Sequence, residues 1–207
     1  LRKGSLVYDM NLLGLSPDIE AKILEDLEVT SGVILMTGPT GSGKTTSLYT
    51  FLNRINKPEV KIITLEDPIE YQLAGVNQVQ VQPDIGFDFA RGLRSIVRQD
   101  PDVIMLGEIR DKETAAVAMQ SALTGHLVFS TVHTNDAPSA YTRLLDLGVE
   151  EFLLNAALRS IVAQRLARRL CSCAAPHPQA DALMARYELA ALAQRFGVGE
   201  PRLRKET

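Results

Sequence analysis

The segment GPTGSGKTT, residues 38–46, combines the residue types and the spacing that bind phosphate. It satisfies the pattern G-x-x-x-x-G-K-[ST], in which glycines let backbone N–H groups curve around phosphate oxygens. Lys44 supplies a positive charge near the β- and γ-phosphates, and the Thr45 hydroxyl can ligate Mg²⁺. The sequence therefore predicts a nucleoside triphosphate site rather than a glycine-rich turn with an accidental lysine. The predicted binding residues are Gly38, Pro39, Thr40, Gly41, Ser42, Gly43, Lys44, Thr45 and Thr46.

Such a site needs an acid near the magnesium ion, and Glu108 is the candidate. Glu108 follows the apolar run 103–106, and ligands of open α/β sheets lie at the carboxyl ends of the strands. Asp102 lies at the other end of this run. We therefore expect Glu108, reached over Gly107, to contribute the carboxylate, the alternative being a structural acid.

Three more acids, Glu66, Asp67 and Glu70, follow the apolar run 60–65. They would repel a triphosphate unless a metal ion or arginines balanced their charge, so their presence favours a functional role. The alternative is a solvated turn that closes the strand.

His133 follows the apolar run 127–132 and precedes a predicted helix that Asn135 or Asp136 caps. At this place a histidine can hydrogen-bond the γ-phosphate, or it can satisfy the local backbone. His126, at the start of the same run, is predicted to be structural.

Arginines recur around these acids. Arg91, Arg94 and Arg98 are three and four residues apart in a helical pattern, so they share one face, and Arg110 is close to Glu108 in sequence. The pattern is that of a solvated basic face or of arginines that reach a nucleotide, in the same chain or across a subunit interface.

These residues lie between segments that alternate between strand and helix. Apolar runs without clean alternation, which suit parallel strands buried on both faces, cover residues 33–36, 60–65, 103–106 and 127–132. Helical patterns cover residues 45–55, 89–98, 112–123 and 137–147. This order predicts a doubly wound α/β domain with a mainly parallel central sheet flanked by helices.

The remaining segments give four further expectations. A helix is predicted after Ser16-Pro17, and the alternation at 76–82 predicts a half-exposed strand or a hairpin arm. Residues 150–170 are predicted as one long helix, with acids in its first turn and arginines in its last. Prolines then interrupt the helical pattern before a final amphipathic segment, 181–196. We place a boundary near Cys171, which gives an α/β domain over 1–170 and a small helical appendage over 171–207.

Composition narrows the class of protein. The net charge of −3 and the pI of about 5.7 weigh against a dedicated nucleic-acid binder. No apolar run approaches the roughly 18 residues that span a bilayer, and no signal-peptide core is present, so we expect a soluble intracellular protein. The chain opens on Leu1 without a methionine, and we expect it to be a fragment of a longer protein.

The motifs together resemble those of the bacterial type II secretion and type IV pilus assembly ATPases. The resemblance covers roughly residues 1–173 and rests on GPTGSGKTT, TLEDPIEYQ, LRSIVRQDPDVIMLGEIRD and ALTGHLVFSTVHTNDA. It implies a RecA-like C-terminal ATPase domain of a hexameric cytoplasmic motor. Such a motor docks on an inner-membrane platform protein and couples ATP hydrolysis, with Mg²⁺, to pseudopilus or pilus growth; no nucleic acid is expected as a partner.

The resemblance also implies roles for single residues. Lys44 and Thr45 match the phosphate and Mg²⁺ ligands. Glu70 and Glu108 match acids that organise water and metal, and His133 matches a γ-phosphate sensor. The positions that match nucleotide or interface contacts are Arg94, Arg98 and Arg110.

The cysteines depart from the family. Assembly members carry two C-x-x-C pairs that form a zinc site, whereas Cys171 and Cys173 form a C-x-C pair and no second pair follows before Thr207. Two thiolates cannot complete a tetrahedral site. We expect a zinc half-site without ordered zinc here, and zinc only in a full-length protein that supplies a second pair.

Two other functions stay open at this point. A RecA-like nucleic-acid motor would share the phosphate loop but would need a basic path for DNA, which the acidic pI disfavours. The other is a binding module that uses ATP only as an oligomerisation switch, which single-turnover hydrolysis would not distinguish from a slow motor.

Overall fold

The computed structural model describes residues 9–167, 175–195 and 204–205. The chain divides into two compact units, Leu1–Arg165 and Leu166–Thr207. The boundary predicted near Cys171 falls outside the described residues and stays a prediction.

The first unit is built on a six-stranded sheet in which every pairing is parallel. Its strands are β1 (Gly32–Thr37), β2 (Ile62–Glu66), β3 (Asn77–Gln80), β4 (Val103–Leu106), β5 (Leu127–Val132) and β6 (Leu158–Ala163). The spatial order is β3-β2-β4-β5-β1-β6. The four apolar runs of the sequence became β1, β2, β4 and β5, so the predicted α/β class is confirmed.

In the described part of the first unit, six helices precede or connect these strands. They are α1 (Pro17–Leu27), α2 (Lys44–Ile55), α3 (Phe89–Val97), α4 (Lys112–Leu123), α5 (Ala137–Asp146) and α6 (Glu151–Ala157), with 3-10 turns at Met10–Leu13 and Pro83–Ile85. Asp88, Asp111 and Asp136 cap α3, α4 and α5 by accepting a hydrogen bond from a backbone N–H in the first turn. Local capping therefore sets where these helices begin.

The sheet separates two hydrophobic cores. Val33 and Leu35 of β1 pack into one core with residues of α3 to α6, whereas Ile34 and Met36 pack into the other with residues of α1 and α2. Because helices cover both faces of the sheet, polar side chains are directed to the two ends of the strands.

The segment 76–82 forms a strand at the edge of the sheet. β3 runs parallel to β2 and its residues are exposed or half-buried. The half-exposed strand is therefore confirmed for β3, whereas Gln82 at the end of the segment forms an isolated antiparallel bridge with Phe87, as in a short hairpin.

The prediction of one helix over 150–170 is wrong. Helix α6 ends at Ala157, and β6 follows directly and pairs in parallel with β1. All six residues of β1 are buried, so its backbone groups need hydrogen-bond partners on both sides. β5 supplies one side and β6 the other, and this pairing overrides the helical propensity of the segment.

The second unit is small. Strands β7 (Ala175–Pro176) and β8 (Arg204–Lys205) pair antiparallel, and helices α7 (Ala180–Arg186) and α8 (Leu189–Arg195) contact each other. The segment predicted as one amphipathic stretch is thus two helices, because Glu188 between them has a φ of 48°, outside the helical region. Among the described residues, no helix combines the length and the apolar character that crossing a membrane requires.

Candidate nucleotide-binding site

The phosphate loop connects the end of β1 to the start of α2. Gly38, Gly41 and Gly43 have φ values of 147°, 77° and 85°. A Cβ on Gly38 would lie 2.5 Å from the carbonyl oxygen of Gln164 and 2.7 Å from Ser42 Oγ. Only glycine fits at position 38, since both the backbone angle and the space exclude a side chain.

Lys44 is folded into this loop. Its residue surface is 8% exposed, and Nζ donates hydrogen bonds to the carbonyl oxygens of Gly38 at 2.9 Å and Pro39 at 3.1 Å. Burial lowers the pKa of Lys44; the charge of Glu108 opposes this effect and that of Arg165 adds to it. Because this buried ammonium group lies close to a carboxylate and a guanidinium, an anion bound among the three groups would change the pKa of Lys44.

The loop has the donors that a phosphate requires. Ser42 is buried, and its Oγ has no hydrogen-bond partner among the described residues. Gly43 has no side chain with which to cap α2, so N–H groups in the first turn of that helix lack a side-chain acceptor. An orphaned hydroxyl, uncapped N–H groups and a lysine fit the phosphates of a nucleotide.

Glu108 lies at the carboxyl end of β4, two residues beyond the strand. Its side chain is 13% exposed, forms an ion pair with Arg110 and lies 3.4 Å from Nε2 of His133. The hydrogen bond from Arg110 to Glu108 raises the pKa of Arg110. Asp102, at the amino end of β4, instead accepts a hydrogen bond from the Lys61 N–H at 2.7 Å.

His133 is held at the end of β5 by the residue that follows it. The Thr37 hydroxyl donates to the carbonyl oxygen of Thr134 at 2.7 Å, and the Thr134 N–H donates to Thr37 Oγ1 at 3.2 Å. These bonds join the end of β5 to the end of β1, where the phosphate loop starts. The structure therefore brings Lys44, Glu108, Arg110 and His133 together.

The three acids at the carboxyl end of β2 have different surroundings. Glu66 is 2% exposed, whereas Asp67 and Glu70 are exposed. The charge of Asp67 helps to raise the pKa of Arg110 after the Glu108 hydrogen bond, which places Asp67 near the site. The main chain of Glu70 faces the hydroxyl of Tyr49, and no ion pair joins the Glu70 carboxylate to a described residue.

The Glu66 carboxylate receives three neutral donors. The Tyr49 hydroxyl donates to one oxygen; the Thr64 hydroxyl at 2.5 Å and Nε2 of Gln78 at 3.1 Å donate to the other. Burial, followed by the Glu66 hydrogen bond, raises the pKa of Tyr49. The alternative of a solvated turn is wrong for Glu66, because this side chain is part of the core.

The helical arginines make local contacts. Arg94 forms an ion pair with Glu113 of α4, Arg98 donates to Ser95 Oγ at 3.4 Å, and Arg91 donates to the Gly86 carbonyl oxygen at 3.3 Å. None of these contacts involves the phosphate loop, so a role of Arg94 and Arg98 in nucleotide binding stays a prediction.

Sequence reasoning missed Gln164 and Arg165. The Gln164 side chain bonds to Ser42 and Ser47, and Arg165 donates to the carbonyl oxygen of Asn135. Both residues lie just beyond β6 and therefore at the same edge of the sheet as Lys44. The β-branched pair in LRSIVA was the available signal, and the prediction of a helix over 150–170 hid it.

No group of three or more His, Cys, Asp and Glu residues that could hold a metal occurs in the described part of the chain. Cys171 and Cys173, the expected zinc half-site, lie outside the described residues.

A family model described as type II/IV secretion system protein matches residues 1–199 of this chain. The chain belongs to this family. It is 58% identical over 170 residues to type II secretion system protein E of Xanthomonas campestris pv. campestris, covering 82% of this chain and 30% of that protein. It is 53% identical over 182 residues to the type IV pilus assembly ATPase PilB of Myxococcus xanthus, covering 87% and 32%. The chain therefore spans about a third of the length of these relatives.

Solved structures also share the fold of this chain. The pilus retraction motor PilT with bound ADP has a TM-score of 0.71 and 40% identity, with 79% of this chain and 50% of that chain covered. The ATPase DotB of Legionella pneumophila has a TM-score of 0.65 and 29% identity, with 77% and 46% covered. The predicted RecA-like class is confirmed.

Proposed function

We propose that this chain is the nucleotide-binding part of an ATP-hydrolysing motor that powers type II secretion pseudopilus or type IV pilus assembly. The observation that carries the proposal is that Lys44, Glu108 and His133 lie together at the carboxyl ends of the strands. The glycine loop beside them has a hydrogen-bond donor, the Ser42 hydroxyl, without an acceptor among the described residues. The names of the relatives, secretion protein E and a pilus assembly ATPase, support the choice of process.

We assign the following roles to the residues of the site. Lys44 and the N–H groups of the loop bind the β- and γ-phosphates, which places the terminal phosphate towards Glu108. Glu108 orients the attacking water and accepts its proton. His133, 3.4 Å from Glu108, hydrogen-bonds the γ-phosphate and responds to its loss.

Thr45 and Glu108 are the residues that would hold Mg²⁺, and Glu70 is the second acid that organises water. When bound, the ion neutralises charge on the β- and γ-phosphates. Arg110, which forms an ion pair with Glu108, is assigned to a nucleotide contact made after it leaves that pair. Arg94 and Arg98 are assigned to nucleotide or subunit contacts.

The wider setting follows the family resemblance. The full protein is proposed to be a cytoplasmic homohexamer that associates with the inner membrane through a platform protein and accessory proteins. Residues 1–170 form the ATPase domain, and 171–207 begin a C-terminal subdomain in which Cys171 and Cys173 take part in a zinc site if a second pair is supplied.

The proposal is tested by Lys44→Ala, with the exposed Lys57→Ala as the matched control. Loss of a buried charge that contacts phosphate should weaken ATP binding at least about 100-fold. The control should bind as the unaltered chain does, measured by calorimetry with Mg²⁺ and ATP. Unchanged binding by Lys44→Ala would refute the site.

A second measurement distinguishes a motor for secretion or pilus assembly from a nucleic-acid motor. Single-stranded DNA is added to the hydrolysis assay, and no stimulation is expected. Stimulation by DNA would favour a nucleic-acid motor instead.

A further inference from the structure

Gln164 contacts the phosphate loop at three successive points. Its backbone N–H donates to the carbonyl oxygen of Thr37 at 2.8 Å, where β1 ends. Its Nε2 donates to the carbonyl oxygen of Ser42 at 2.9 Å, within the loop. Its Oε1 accepts from the Ser47 hydroxyl at 2.8 Å, in the first turn of α2. One residue thus binds the chain before, within and after the loop.

The main chain of Gln164 also packs against the phosphate loop at Gly38. Its carbonyl oxygen lies 2.5 Å from the position of a Cβ on Gly38. The loop is therefore packed directly against residue 164, with no side chain between them.

The side-chain amide is the chemical group that both partners require. The Ser42 carbonyl oxygen needs a donor and the Ser47 hydroxyl needs an acceptor, and one primary amide supplies both. A leucine of similar size supplies neither. Glutamate at neutral pH supplies only the acceptor.

A glycine-rich loop needs such a restraint. Gly38, Gly41 and Gly43 have positive φ, and glycine gives the free chain many competing conformations. A ligand that binds only one conformation has its apparent affinity reduced by the fraction of molecules in that conformation. Whatever holds the loop in place therefore raises nucleotide affinity without touching the nucleotide.

We propose that Gln164 is a positioning residue that holds the phosphate loop in its nucleotide-binding conformation by anchoring it to the end of β6. The proposal rests on the proposed nucleotide site. It makes nucleotide affinity depend on an edge strand that contributes no residue to the phosphate loop itself.

Gln164→Leu should weaken nucleotide binding about tenfold, since it removes two hydrogen bonds that favour the competent loop. Turnover at saturating ATP should stay within about twofold, because a bound nucleotide selects the competent conformation by itself. The effect is thus an increase in KM with little change in kcat.

The experiment uses the full chain with Mg²⁺ and ADP as the probe in calorimetry. Hydrogen exchange of the amides in 38–46 is measured without nucleotide and with it. We expect faster exchange of these amides in Gln164→Leu without nucleotide and restored protection when ADP is bound. Gln120→Leu, the same change at an exposed position of α4, should leave affinity and exchange unaltered.

Ser47→Ala is the second variant and removes only one of the two side-chain bonds. It should weaken ADP binding less than Gln164→Leu does. The double variant should bind no more weakly than Gln164→Leu alone, because both changes act through the same contact.

Three outcomes decide the matter. Binding by Gln164→Leu within about twofold of the unaltered chain, with unchanged loop exchange, would overturn the positioning role. Additive effects of the two substitutions would also overturn it. Normal binding by Lys44→Ala would instead reject the nucleotide site, and this result is distinguishable because it does not involve Gln164.

Discussion

Glu66 and Glu108 are glutamates at the carboxyl ends of the neighbouring strands β2 and β4, yet their surroundings are opposite. Glu66 is the last residue of β2, is 2% exposed and accepts from the neutral donors of Tyr49, Thr64 and Gln78. Glu108 lies two residues beyond β4, has a side chain 13% exposed and faces cationic Arg110 and His133.

The difference shows how position relative to the strand decides what a carboxylate does. The Glu66 side chain lies among core residues and joins α2, β2 and β3 through hydrogen bonds. The Gly107 N–H donates to the carbonyl oxygen of Leu65 at 2.8 Å and so continues the pairing of β4 with β2. Glu108 follows at the point where the chain leaves the sheet. We therefore propose a structural role for Glu66 and a catalytic role for Glu108.

The largest effect that tests this comparison is expected from Glu108→Gln. The variant should bind ATP but lose at least about 100-fold in turnover, because the amide cannot accept a proton from water. Steady-state hydrolysis and ATP affinity measured side by side check this expectation. Turnover like that of the unaltered chain would remove Glu108 from the mechanism.

Glu66→Leu should act on stability instead. The substitution removes the buried carboxylate that accepts from the Tyr49 and Thr64 hydroxyls and from Nε2 of Gln78, which should lower the free energy of unfolding by about 2–4 kcal/mol. Urea unfolding of the chain measures the change. The exposed Glu59→Leu is the control, with an expected change within about 0.5 kcal/mol. A Glu66 variant as stable as this control would end the distinction between the two acids.

The smallest effect concerns pH. Phosphate binding favours charged Lys44, so nucleotide affinity is full below the pKa of Lys44 and is lost as pH rises through it. Burial lowers that pKa from its ordinary 10.5, so the loss should begin at a lower pH than for an exposed lysine. Lys44→Arg, which stays charged, should lack this dependence when affinity is titrated against pH.

The same titration sharpens the comparison of the two acids. The Glu108 charge raises the pKa of Lys44 against the effects of burial and of Arg165. Glu108→Gln should therefore move the loss of affinity to still lower pH. A titration curve that Glu108→Gln leaves in place would contradict the electrostatic contact between the two residues.

The sequence alone determined the elements whose signals are local. The phosphate loop, the runs that became β1, β2, β4 and β5, and the start of α5 at Asp136 were all predictable. A glycine motif, a buried apolar run and an N-cap each depend on residues close together in the chain. That Glu108 and His133 would share an edge also followed, because parallel strands have their carboxyl ends on the same side.

Tertiary structure decided what depends on distant partners. Residues 158–163 became β6 because β1 required a second neighbour, and this pairing brought Gln164 to the phosphate loop. Likewise Glu66 was buried because Tyr49 and Gln78, far from it in sequence, supply donors. Sequence patterns describe which conformations a segment prefers, whereas backbone pairing and burial depend on which partners the whole fold places beside it.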